Sequence, residues 1–348
     1  MTETLDTLFQ ANGNGGTAVT RVFVRDLSDG QAVDAVFLVK DRSLRKKRNG
    51  DHYLRLTLAD VTGTLPAVCW EDATAYSELA APGAAVQVRG RYAIDERFGP
   101  QLTVELLVAA EPDHYRLADL LDGPSFGVDQ MERDLRGLIE TVRNPHLRRL
   151  LDELFGERSE LWRRFRNAPA AKFYHQAYVH GLLEHTLLVA QSVSAISASF
   201  PGIDRDLAVT GALIHDIGKI EAYGLDPVAI ELTDDGRLHG EIPLGYYLVR
   251  RKIEQFDGFP WELARSLLHI QLSHHGTYEN GSPVLPATRE ATIVHAIDNL
   301  GGKLGSFDRL QKGLADGEAW SAFDRALDGA AYFARDAAER ELPAAAGE

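Results

Sequence analysis

Twelve histidines occur in 348 residues, and nine of them fall between His175 and His295. The adjacent pair His215-Asp216 lies in the apolar segment GALIHDIGKI, where Gly211, Ala212, Leu213, Ile214 and Ile217 predict a buried helix. An ionised carboxylate beside an imidazole in such a setting is costly unless both are paired or bind a metal. Neutral imidazole and carboxylate are suitable ligands for Mn, Fe, Zn or Ni. Further potential ligands recur on other predicted helices or at their ends. His185 lies in GLLEHT. His239 follows a short predicted hairpin, IELTDDGRLHG with its turn at Asp235-Gly236, and starts HGEIPLGYYL. His274 and His275 end LLHIQLSHHG, where Gly276 suits the residue just past a helix, and Asp298 lies in VHAIDNL. A lone buried histidine is more often a hydrogen-bonded core residue, and a lone His-Asp pair is common by chance. The ordered series H…HD…H…HH…D, with each member on a helix, points instead to a metal site, because bundles build dinuclear sites from one or two ligands per helix. His175, His180, His269 and His295 read as packed or supporting residues.

The elements that must position these ligands are helical. From about residue 128 the pattern has period 3.6: MERDLRGLIETV, HLRRLLDELF, LLEHTLLVAQSVSAI, DLAVTGALIHDIGKI, LGYYLVRRKIEQF, WELARSLLHIQLSHH and REATIVHAIDNLGGKLG all read as amphipathic or buried helices. Before that, residues 19–112 read as about five strands. In DHYLRLTLAD, Tyr53, Arg55 and Thr57 alternate with Leu54, Leu56 and Leu58, and the pair Asn49-Gly50 predicts the preceding turn. The helical stretch EDATAYSELA after the third strand suits a small Greek-key barrel of the OB type, with another five-strand barrel or sandwich as the alternative. The expected organisation is thus a multidomain β plus all-α chain: a leader at 1–18, the barrel at 19–112, a Pro/Gly-containing linker at 113–127, an all-helical bundle at 128–340 and a tail at 341–348.

The net charge of −14 argues, as a whole-chain average, against nucleic acid as a partner. Residues 40–48, KDRSLRKKR, depart from that average with six basic residues against one acid. On an OB barrel, single strands are held by phosphate contacts and base stacking. Arg42, Arg45, Lys46, Lys47, Arg48 and Arg55 would supply charge, with Arg89, Arg91 and Arg97 adding to it; Tyr53 and Trp70 would supply stacking faces, with Tyr92 and Phe98 as further aromatics. A solvated loop, with Trp70 packed in the barrel rim, is the alternative. The single cysteine, Cys69, excludes an internal disulfide and suits a reducing compartment. The first residues lack the basic and apolar regions of a signal peptide, and no apolar run could span a bilayer, so the expected location is cytoplasmic with no membrane partner.

The segments GLLEHT, HDIGK, SHHG followed by GSP and P-x-T-x-E-A, and HAIDNL resemble the HD superfamily of metal-dependent phosphohydrolases. More narrowly, with NGDHYLRLTLADVTGTLPAVCW in the barrel half, the chain resembles the YhaM-type 3′→5′ exoribonucleases, which join an N-terminal OB-fold to an HD domain. The resemblance covers most of residues 19–315. It implies that His185, His215, Asp216 and Asp298 hold one divalent ion, and that Asp216 bridges to a second held also by His239, His274 and His275. His274 stands either as a ligand or as a residue behind the ligands. Two ions are expected, Mn first, with Fe, Mg, Ni and Co as the other candidates. Such ions lower the pKa of water and bind phosphate oxygens. Lys219, three residues after Asp216 and so on nearly the same helix face, would place a point charge on the phosphate, or else solvate the helix end. The implied activity is 3′→5′ exonucleolytic hydrolysis of single-stranded RNA, with single-stranded DNA as a further substrate; oligomeric state is open, a homo-oligomer included. The rival readings are an HD hydrolase of cyclic dinucleotides or nucleotides, which leaves the barrel unexplained, and a non-catalytic nucleic-acid-binding protein with a degenerate HD fold. All the expected ligand positions are filled, which disfavours the second.

Overall fold

The computed structural model describes residues 21–47, 49–95, 99–121, 123–171, 176–224, 230–314 and 317–333. The predicted leader and tail, Arg48, Arg97, Phe98 and His175 lie outside these. The chain forms two compact units: residues 1–122 with 307–348, and residues 123–306. The sequence pattern ran the helical domain to residue 340. In the structure, the stretch after residue 306 groups with the barrel instead, where Leu314, Ala331 and Phe333 form a small apolar cluster. Among the described residues beyond Lys312 there is no further helix; the chain makes isolated bridges, Trp320 to Tyr332 and Asp324 to Gly329.

In the first unit, β1 (Ala32–Lys46), β2 (His52–Asp60), β3 (Gly63–Cys69), β4 (Ala85–Asp95) and β5 (Gly99–Ala109) close into a barrel in the order β1-β2-β3-β5-β4. Helix α1 (Ala73–Leu79) sits between β3 and β4, which is the arrangement of an OB-type barrel. Alternation places Leu54, Leu56 and Leu58 inside with Phe37, Val86, Val88 and Leu102. Each such side chain contributes about 1.5–3 kcal/mol when fully buried. Curvature needs Gly90: a Cβ there would lie 2.1 Å from the Thr103 carbonyl oxygen, at the point where the β4–β5 register shifts.

The second unit carries α2 (Val128–Glu140), α3 (Pro145–Phe155), α4 (Glu160–Asn167), α5 (Gly181–Ser197), α6 (Arg205–Ile214), α7 (Lys219–Ala222), α8 (Asp234–His239), α9 (Glu241–Ile253), α10 (Trp261–Ser273) and the first part of α11 (Arg289–Lys312). Helix α3 starts where Asn144 accepts hydrogen bonds from the backbone N–H groups of His146 and Leu147, with Pro145 in the first turn. Helix α6 and the first two turns of α5 are buried on nearly every side, so they form the centre of the bundle. Among the described residues, no helix is long and apolar enough to cross a membrane.

Three local expectations change. The apolar helix ends at Ile214, so His215-Asp216 lies in the tight turn after it, where Ile217 N–H bonds to the Ile214 carbonyl and Lys219 N–H to that of Asp216. The segment read as a hairpin makes one bridge, Tyr223 to Leu232, and Asp235-Gly236 belongs to helix α8. Thr233 caps that helix, its hydroxyl accepting from Gly236 N–H at 2.9 Å, and the two aspartates favour its first turn. Gly236 serves close packing, not a turn: a Cβ there would lie 2.2 Å from the Ala222 carbonyl oxygen. Helix α4 carried no assignment in the sequence; Trp162 and Phe165 bury its one apolar edge.

Candidate metal centre

The end of α6 and the start of α7 deliver His215, Asp216 and Lys219; α5 delivers His185, the end of α10 His274 and His275, and α11 Asp298. The side chains converge in two groups, His185/His215/Asp298 and Asp216/His274/His275, each with its ligand atoms within 4.8 Å of one another. In the first group, the His185 Nε2 lies 3.2 Å from the His215 Nε2 and 3.1 Å from Asp298 Oδ1. Asp216 lies between the groups. Its Oδ2 is 3.3 Å from His185 Nε2 and 3.4 Å from His215 Nε2, while its Oδ1 is 3.5 Å from His274 Nε2. Ligand atoms about 2.0–2.2 Å from a shared ion are themselves about 3.0–3.5 Å apart, which is the spacing observed.

Tautomers favour the same reading. A carbonyl oxygen only accepts, so His215 Nδ1–H donates to Ala212 O at 2.7 Å, His274 Nδ1–H to Gln271 O at 2.9 Å and His275 Nδ1–H to Asn280 O at 2.9 Å. Each ring therefore turns its Nε2 to the centre, as ligand histidines do. His274 Nε2 and Asp216 Oδ1 are buried without a protein hydrogen-bond partner among the described residues. An unsatisfied buried acceptor costs about 1–3 kcal/mol, and two of them facing one gap call for a cation.

Electrostatics are set by the carboxylates. Burial would raise the Asp216 carboxyl, but Lys219 and His215 outweigh it and hold the group well below the usual carboxylate range. Asp298 is likewise held down against burial by His185 and His215. Burial works against the charged form of His215, yet Asp216 and Asp298 push it up to about 10. His274 is shifted down by burial and stays neutral, ready to donate a lone pair. The Lys219 ammonium, pushed up to about 12 by Asp216 against burial, bonds Asp216 Oδ2 at 2.7 Å.

His239 is not brought into either group. It ends α8 with its side chain 55% exposed and 3.5 Å from Asp235. Gly240 follows at φ 76°, so His239 does not start α9 as the sequence suggested. Further residues buttress the site from behind, and of these Gln271 carried no reading in the sequence. Gln271, one turn before His274 and His275, donates to the His215 carbonyl at 2.5 Å. Glu184, beside His185, is buried and takes bonds from Ser125 N–H and the Tyr178 hydroxyl. His180 adopts φ 67° and donates to Arg166 O at 2.7 Å, and a Cβ on Gly181 would lie 2.0 Å from the Gln176 carbonyl oxygen. The pair His180-Gly181 thus sets the entry into α5. His295 Nδ1–H donates to the His274 carbonyl at 2.8 Å, and His269 Nε2 accepts from Ala287 N–H, so both are supporting residues.

On the barrel, Trp70 and Tyr53 stack with ring centroids 5.0 Å apart, and Trp70 remains 47% exposed. Lys47 donates to the Trp70 carbonyl at 2.6 Å, with its ammonium 5.9 Å from the ring centroid. Arg45 pairs with Tyr53 across β1–β2, so both face outward, as does Arg55 two residues on. Arg42 and Lys46 are exposed on the same strand. Tyr92 is not a stacking face: it is buried in the barrel core. Arg89 is paired with Asp34 at 3.2 Å, and Arg91 donates to the Gly30 carbonyl at 3.0 Å.

Residues 182–302 match the model of the HD domain family. A 3'-5' exoribonuclease YhaM of Geobacillus sp. (strain WCH70) is 31% identical over 291 residues, 83% of this chain and 88% of that protein. The YhaM of Halalkalibacterium halodurans is 28% identical over 305 residues, 87% of this chain and 93% of that protein. The second OB-fold domain of replication protein A from Methanococcus maripaludis aligns with 26% of this chain and 96% of that one, at 15% identity and TM-score 0.22. At that score the barrel assignment rests on its own strand order. A chain with an OB-type barrel and an HD domain, aligned over most of its length with these proteins, belongs to the YhaM family of 3'-5' exoribonucleases.

Proposed function

We infer that the protein is a metal-dependent 3′→5′ exonuclease that hydrolyses single-stranded RNA, and also single-stranded DNA, with two divalent ions at the two ligand groups. The observation that carries this is Asp216, whose two oxygens face separate groups of histidines. His185, His215, Asp298 and Asp216 Oδ2 would hold one ion; Asp216 Oδ1, His274 and His275 the other. When bound, such ions activate water and neutralise the phosphate oxygens in an in-line displacement. The donor set, imidazole with carboxylate, suits Mn first and Fe, Co, Ni or Mg after it. Lys219, held by Asp216, would set a fixed positive charge beside the reacting phosphate and stabilise the charge that develops there. A single buried free thiol, Cys69, is in keeping with a reducing cytoplasm.

The outward face of β1 and β2, with Arg45, Lys47, Tyr53, Arg55 and Trp70, would hold the strand by phosphate contacts and stacking. Replacing Arg45, Lys46 and Lys47 by glutamine is expected to weaken RNA binding. The slope of log K against log salt should flatten by about 0.7 for each phosphate that is no longer neutralised. Filter binding across a salt series measures this, and an unchanged slope would mean that the patch is only solvated.

The activity is tested with purified protein, Mn²⁺ and 5′-labelled single-stranded RNA. A ladder that shortens from the 3′ end is the expected result. Turnover of cyclic dinucleotides without RNA cleavage would replace this reading with the other HD chemistry. RNA binding with no bound metal would make the protein a non-catalytic binder.

A further inference from the structure

We propose that Glu241, not His239, is the fourth protein ligand of the ion held by Asp216, His274 and His275. This rests on the metal-centre reading above and names a residue that the ordered histidine motif does not contain. Glu241 Oε1 lies 3.7 Å from His275 Nε2, and the two side chains are 26% and 25% exposed. A carboxylate that merely orients a ligand histidine bonds the ring nitrogen remote from the metal. Here that nitrogen, Nδ1, is already bonded to the Asn280 carbonyl. Glu241 therefore stands on the ligand side of the ring, where an ion would sit.

The backbone fixes it there. A Cβ on Gly218 would lie 2.0 Å from the Glu241 carbonyl oxygen and 2.5 Å from Gly245 N, and a Cβ on Gly245 would lie 3.1 Å from Gly218 N. Two glycines thus let the first turn of α9 press on the turn that carries His215 and Asp216. His239 lies two residues earlier, beyond the bend at Gly240, and faces Asp235. Its place in the series is taken by a carboxylate. The second ion then has two carboxylates and two imidazoles, a harder donor set than one carboxylate with three imidazoles, and it favours Mn over Zn or Ni.

The test is Mn²⁺ titration of the metal-stripped full-length protein, read by the electron paramagnetic resonance signal of free Mn²⁺. The wild type is expected to bind two ions. Glu241→Gln should weaken one of them at least about 10-fold and leave the other unchanged, whereas His239→Ala should leave both unchanged. Glu241→His, which restores a ligand of softer type, should keep two ions and raise the preference for Zn over Mn at least about 10-fold. Melting of each stripped variant checks that it folds, and if Glu241→Gln does not, the metal preference of Glu241→His decides. Two ions at wild-type affinity in Glu241→Gln, loss of an ion in His239→Ala, or an unchanged preference in Glu241→His would overturn the assignment while the metal centre stands. A wild type that binds no ion would overturn both.

Discussion

Replacing Asp216 by asparagine is expected to lower the rate of RNA hydrolysis by about 10³-fold or more, since a carboxylate placed to hold two ions would supply several kcal/mol of transition-state stabilisation through them. Asparagine keeps the volume but removes the charge that both histidine groups face. Its Oδ2 position is where His185, His215 and Lys219 meet, and its Oδ1 has no other protein partner among the described residues. Metal content should fall with activity, while RNA binding by the barrel stays near wild type. The stability effect has a definite sign. Lys219 is buried and depends chiefly on Asp216, so its ammonium loses its pair; breaking a buried pair from one side costs about 3–5 kcal/mol. Part of that returns as the lysine neutralises. Melting of metal-stripped protein separates this cost from metal loss. Single-turnover cleavage within about 10-fold of wild type would remove Asp216 from the catalytic centre.

Gly218→Ala is expected to be strongly disruptive for a single methyl group. The added Cβ meets backbone atoms of Glu241 and Gly245, which cannot swing aside as a side-chain tip can. Overpacking of this kind costs about 1–3 kcal/mol, or about 2–12 °C in melting temperature for a unit of this size. It should also lower activity beyond the stability loss, because relief requires α9 to move off the turn that holds Asp216. Gly137→Ala is the control. Gly137 lies inside α2, its Cβ would meet nothing within 4 Å, and helix propensity predicts a gain of about 0.5–1 kcal/mol. Equal melting temperatures for the two variants would show that the close approach at Gly218 is not required.

What the sequence revealed, and what it hid, follows from which signals are local. Strand β2 was legible because Leu54, Leu56 and Leu58 repeat with the period of a pleat. His185, His274, His275 and Asp298 were legible because polar ligands on apolar helices are costly without a partner. His215 and Asp216 were found for the same reason, although they sit in a turn rather than in a helix. His239 was misplaced because residue type was weighed and backbone direction was not: the positive φ of Gly240 redirects the chain between His239 and Glu241. Glu241 had no signal of its own, since a glutamate in the first turn of a helix is ordinary. Gly236 read as a turn residue because its contact with Ala222 is tertiary, though the Thr233 cap could have been recognised three residues upstream. The roles of Gly218, Gly181 and Gln271 are likewise contacts between distant segments, which no periodicity encodes. Tyr53 and Trp70 were read separately as stacking faces, and their stacking on each other is a cross-strand contact that neither segment encodes alone; Tyr92 was placed outside although its strand position turns it into the core.

The most direct test of the metal centre is anomalous diffraction from crystals grown with Mn²⁺ and collected near the manganese absorption edge. Two peaks are expected, one among His185, His215, Asp216 and Asp298 and one among Asp216, His274 and His275. A fully loaded crystal with no peak at either group, or with manganese bound only elsewhere, would contradict the account.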